Sequence, residues 1–167
     1  MKVKPAYLGV FLALALICSY IENLIPFSIG IPGIKLGLAN IVVVFALYTL
    51  GTKEAFCISL ARIIISAFMF GNAIGIAYSL AGGMLSFLVM VGLKKTKALH
   101  CISISVAGGV THNIGQILVA VFLMGSVYVI GYLPYLLVVS VFTGLATGSI
   151  CGGVFRVLKT NTQITQN

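Results

Sequence analysis

Aspartate is missing altogether from this 167-residue chain, and its only carboxylate side chains are Glu22 and Glu54. Mg²⁺-diphosphate chemistry draws on clustered carboxylates, which two separated glutamates do not supply. No GxxxxGK[ST] loop is present, so the chain cannot use ATP in the P-loop manner. Its two histidines, His100 and His112, have no neighbouring carboxylate in sequence, and a Ser-His-acid triad or a histidine metal site would lack parts. Cys18, Cys57, Cys101 and Cys151 form no CxxC pair. They are expected as small buried apolar side chains, without a zinc site or disulfide framework. Proton-driven transport, which relies on membrane-embedded carboxylates, loses its usual carriers.

Charge of either sign is scarce. Only 7% of residues are charged, 60% are hydrophobic, and the mean hydropathy is +1.20. A water-soluble domain of this length could not cover such a core, so lipid is the solvent that fits. The net charge of +8 comes from short basic clusters between apolar runs. No basic-aromatic groove can be drawn, and nucleic acid is not an expected partner. Lys2 and Lys4 before an apolar run imitate a secretory signal, but cleavage after Ala15 would leave an apolar region barely long enough for one. Ile17 before Cys18 does not fit a lipoprotein site, so this segment is expected as a membrane helix.

A helix crossing the hydrocarbon needs about 17–25 residues. The apolar runs predict an all-α bundle of six transmembrane helices over 5–22, 36–50, 55–70, 73–93, 99–124 and 133–158, with 160–167 as a polar tail. The second and third are short, and the third and fourth join at Gly71-Asn72. With the N-terminus inside, Lys2, Lys4, Lys53, Lys94, Lys95, Lys97, Arg156 and Lys159 all fall on the cytoplasmic side, against Lys35 alone outside. That asymmetry predicts an N-in, C-in topology and puts Glu22 and Glu54 on opposite sides of the membrane.

The first external segment, 23–35, carries Pro26, Pro32, Gly30 and Gly33 among apolar residues, and is expected to fold over the bundle as a cap. Ionisable and amide side chains at membrane depth are few: Arg62, His112, Asn113 and Gln116, with Asn40 added by the second span and Asn72, Tyr78 and Ser79 by the fourth. Such groups are costly in lipid and usually face the protein interior. His112 and Gln116, spaced i, i+4, share a helix face. Most of the set leans toward the outer half, which suggests a solute site under the cap containing Lys35. Each group also has a plainer reading: Arg62 snorkelling or bonding backbone carbonyls, the His112 group joining helices, Asn40 capping or pinning the loop. Tyr128, Tyr132 and Tyr135 fit an interfacial belt as well as a site. Small residues at four-residue spacing, Gly9 and Ala13 in the first span and Gly144, Gly148 and Gly152 in the sixth, allow close backbone approach. They serve either packing within the chain or a face for another membrane subunit.

The run Ile31-Pro-Gly-Ile-Lys-Leu-Gly-Leu-Ala-Asn40 resembles the loop and second-helix entry of the substrate-binding S components of energy-coupling factor (ECF) transporters. With Ala61-Arg62, Phe70-Gly71, Ser79-Leu-Ala-Gly-Gly-Met-Leu-Ser86 and His112-Asn-Ile-Gly-Gln116, the chain resembles the Gx transporter family, whose members are often labelled heptaprenyl diphosphate synthase component I. The resemblance implies a six-helix subunit in a prokaryotic cell membrane that captures a micronutrient outside and delivers it inward. Its implied partners are a transmembrane coupling subunit and two cytoplasmic ATPases, which alone use ATP. No covalently bound cofactor or metal is expected. In S components the first helix offers small residues to the coupling subunit; Gly9-x-x-x-Ala13 departs from the usual alanine pair. With Arg62 and Lys35 available, an anionic or polar aromatic solute such as a flavin or vitamin-like acid is expected. The alternative is a non-catalytic membrane subunit beside prenyl or quinone synthesis. With no aspartate, prenyl transfer by this chain is not expected.

Overall fold

The computed structural model describes residues 5–24, 38–70 and 73–164. Every regular element among them is helical: α1 (Pro5–Leu24), α2 (Asn40–Thr49), α3 (Thr52–Phe70), α4 (Ala73–Lys95), α5 (Cys101–Met124) and α6 (Leu133–Ile164), with a 3₁₀ segment at Val127–Tyr132. The cap segment with Lys35, and the Gly71-Asn72 turn, lie outside the described residues.

Four stretches are long and apolar enough to cross a membrane by length and composition: Pro5–Glu22, Ile74–Lys95, Cys101–Met124 and Val127–Val157. The last two carry Phe122 and Phe142 in the open, and α3 carries Phe68, as lipid contact requires and water would penalise. The expected second span is not a spanning helix in its described part. α2 has ten residues and is about 15 Å long. α6 continues as helix through residues 160–164, the first part of the polar tail.

α2 is the centre of the fold. It buries Val42, Val43, Val44, Ala46 and Leu47 around its circumference, the pattern of a helix enclosed by others. Its partners are α1, α3, α5 and α6. The rings of Phe11 and Phe45 stack at 5.6 Å, and those of Phe45 and Phe155 at 5.1 Å, tying α1 and α6 to it. Short helices leave their last carbonyls unbonded. Here the Ala46 carbonyl accepts from both Leu50 and Gly51 N–H. Lys94 Nζ reaches across from α4 to donate to the Leu47 carbonyl at 2.5 Å, lying 5.1 Å from the Tyr48 ring centre. A positive charge at a helix C-terminus also complements the helix dipole.

The remaining helices bury one stripe each. On α3 it runs Ala55, Ile58-Ser59, Arg62-Ile63, Ser66-Ala67; on α6 it runs Leu136, Ser140, Gly144, Thr147-Gly148, Cys151. These i, i+3, i+4 rows are what helix packing requires. Pairings such as Ile63 against Gly83, Met90 against Gly108 and Ile102 against Gly148 make α3, α4, α5 and α6 successively antiparallel. α5 lies between α4 and α6 and has its most extensive contacts with them.

Those contacts depend on glycine. A Cβ on Gly144 would fall 2.6 Å from Val106 Cα, and one on Gly148 would fall 2.5 Å from Ile102 Cα. The expectation that both face a partner is therefore corrected, because their open sides are filled by α5 of the same chain. Gly9 and Gly152 have nothing within 4 Å of such a Cβ, and Ala13 is exposed, so these three do lie open. The four cysteines are free, as thiols; Cys151 is buried, and Cys57 is exposed on the outer side of α3.

Candidate functional site

Polar side chains of five helices meet in the middle of the bundle, at the level where α2 begins. Asn40 is the first residue of α2, and its Nδ2 donates to Ser86 Oγ on α4 at 3.4 Å. Because α2 starts at this depth, its N-terminal N–H groups and the positive end of its dipole are delivered to the bundle interior rather than to its surface.

One cavity here is lined by Glu22 of α1, Asn40, Arg62, Ile63 and Ser66 of α3, Ser79 of α4 and His112 of α5. A second continues on the far side of His112 and Asn40, among Ser105, Gly109, Asn113, Thr143, Gly144 and Thr147. Each measures about 10 Å³, enough for about one water molecule. Glu22 and Arg62 are 5% and 7% exposed, and Glu22 is the carboxylate whose charge acts on Arg62. Two opposite charges removed from water are tolerable only as a pair with further hydrogen bonds. Arg62 Nε and Ser105 Oγ have no hydrogen-bond partner, so donor and acceptor capacity remains.

The candidate residues separate cleanly. Asn40, Arg62, Ser79, His112 and Asn113 line the two cavities. Gln116 is completely buried one turn beyond His112, lines neither cavity, and has both amide atoms without a partner. Asn113 is partly committed, since its Nδ2 donates to the Leu136 carbonyl of α6 at 3.1 Å. Tyr78 is corrected. It is 1% exposed within an apolar cluster with Ile117, Ala120, Val129 and Leu136, and touches neither cavity. Lys35 and Asn72 fall outside the described residues.

Glycines hold this arrangement together. A Cβ on Gly82 would lie 2.7 Å from the His112 carbonyl oxygen and 3.1 Å from its imidazole Cε1. One on Gly115 would meet the Ala81 carbonyl oxygen at 2.9 Å. Gly82 and Gly115 thus let α4 and α5 touch backbone to backbone, which brings His112 beside Ser79 and Arg62.

Sequence reasoning missed Glu22, Ser66, Ser105, Thr143 and Thr147. Glu22 shares a face with Ala15 and Ser19, the other buried residues of α1 among those described, a face that only packing reveals. Ser66 follows Arg62 by one helical turn. Nothing in the spacing of Thr143 and Thr147 distinguishes them from the helix-bonding threonines common in membrane spans.

The family model for heptaprenyl diphosphate synthase component I matches residues 11–154. The chain belongs to that family. The matched region contains every side chain that lines the two cavities. No curated protein and no solved structure matches the chain. This member of the family is, among its described residues, all-helical and apolar with a buried polar centre.

Proposed function

We propose that this chain is a solute-binding membrane subunit of six spans, N-in and C-in, similar to an ECF S component. In this reading the polar centre takes a small vitamin-like molecule from the outer face. A coupling subunit and two ATPases then drive its delivery inward. The observation that carries the reading is the convergence of Glu22, Asn40, Arg62, Ser79 and His112 on one cavity in an otherwise apolar bundle. Buried polar groups with unspent hydrogen-bonding capacity are retained at a cost, and at membrane depth they mark solute or ion sites. A helix that begins at mid-depth with its N-terminus aimed inward is a recurring way to build such sites. The cavities open further on binding, since each now has room for about one water.

The test is thermal unfolding of the purified chain against a vitamin and cofactor panel. A binder raises the midpoint, and Arg62→Ala or His112→Ala, folded by circular dichroism, abolishes the rise. A panel without effect on a protein that carries no ligand defeats the reading.

A second reading has the family description in its favour: a non-catalytic membrane subunit of a heptaprenyl diphosphate synthase. It predicts copurification with a soluble prenyl synthase rather than with ATPases, and no solute uptake. In neither reading does this chain catalyse prenyl transfer.

A further inference from the structure

If the polar centre is a solute site, its charge pattern constrains the solute. The sequence offered Arg62 and Lys35 with no nearby acid except Glu22, which favours an anion; the structure brings Glu22 to the same cavity as Arg62. Both are more than nine-tenths buried, so their charges are weakly screened and strongly felt inside. As a pair they sum to zero. An anion entering beside them would leave one uncompensated negative charge in a poorly solvated space, and a cation one positive charge, each at a large desolvation cost. A molecule with no net charge but opposite ends meets no such penalty. Its negative end finds Arg62 and the positive end of the α2 dipole, and its positive end finds Glu22. The other described lining groups, Asn40, Ser66, Ser79 and His112, offer hydrogen bonds. Ile63 is the one apolar residue among them, and no Phe or Tyr lines the cavity among the described residues, so a large flat ring system finds only the small His112 imidazole to stack on.

We infer that the site selects a net-neutral dipolar solute, with a zwitterion as its limiting case, and that the Glu22–Arg62 pair sets this selectivity. The inference rests on the solute-binding reading above.

Four probes on one three-carbon skeleton test it at pH 7 and matched ionic strength: β-alanine, propionamide, propionate and propylammonium. Each is added at tens of millimolar to the full chain in nanodiscs while thermal unfolding is followed. β-Alanine is expected to raise the midpoint by about 2 °C or more, propionamide by less, and the two ions by neither. Glu22→Gln shifts the preference to propionate, Arg62→Gln shifts it to propylammonium, and the double variant returns it to propionamide. That exchange and its rescue are readouts that a merely structural ion pair would not produce. Propionate stabilising the wild-type chain as well as β-alanine does overturns the inference and leaves solute binding standing. Indifference to all four probes, in wild type and variants alike, overturns both.

Discussion

Arg62 occupies the middle of a buried helix face whose other members are small or apolar, and its charge is met by Glu22 from a different helix. Removing one partner leaves a buried charge uncompensated, which typically costs about 3–5 kcal/mol; removing both costs far less. Arg62→Met is therefore expected to lower the unfolding midpoint sharply, with Glu22→Gln added to it restoring much of the loss. A double variant no more stable than Arg62→Met would show that the two charges do not support each other. At this scale the sequence was informative in proportion to contrast. Asn40, Arg62, Ser79 and His112 stood out because they interrupt apolar runs. Glu22 did not, because a carboxylate near the end of a span looks like an interfacial residue until its helix is packed. Tyr78 misled in the opposite sense: its hydroxyl suggested a site, whereas its ring fills the apolar cluster around Leu136.

Among elements, α2 and the α5–α6 contact make the firmest demands. The Leu47 carbonyl, belonging to a fully buried residue, accepts from Lys94. Lys94→Met is expected to destabilise by about 1–3 kcal/mol, measured by thermal or denaturant unfolding, because a buried acceptor loses a charged donor. Glycine positions give a paired prediction. Gly144→Ala pushes a methyl group to within 2.6 Å of Val106 Cα and should cost about 1–3 kcal/mol. Gly152→Ala meets nothing within 4 Å and should leave the isolated chain as stable as before or slightly more so. The small-residue stripe was legible as a stripe, but periodicity alone does not say which neighbour fills it. The 20- to 32-residue helices α1, α4, α5 and α6 were equally legible from their length. α2 was not, since its apolar run matched a spanning segment while its described helix crosses about half that distance.

For the whole molecule, the basic residues Lys53 near the start of α3, Lys94 and Lys95 in the last turn of α4, Lys97 just beyond it and Arg156 toward the end of α6 lie at the end where Lys94 caps α2. The proposed N-in, C-in arrangement puts that end in the cytoplasm. In a background with all four cysteines replaced, Thr96→Cys should react with a membrane-impermeant maleimide only after permeabilisation, and Ser126→Cys in intact cells. The reverse pattern would invert the topology and place the polar centre's opening on the wrong side for uptake. The most direct test of the central claim, that the buried polar centre holds a solute, is native mass spectrometry of the full chain extracted from its own membrane. The account predicts a bound small molecule of no net charge, lost in Arg62→Met, with a coupling subunit and ATPases retained alongside. A chain that is ligand-free and accompanied by a prenyl synthase would contradict it.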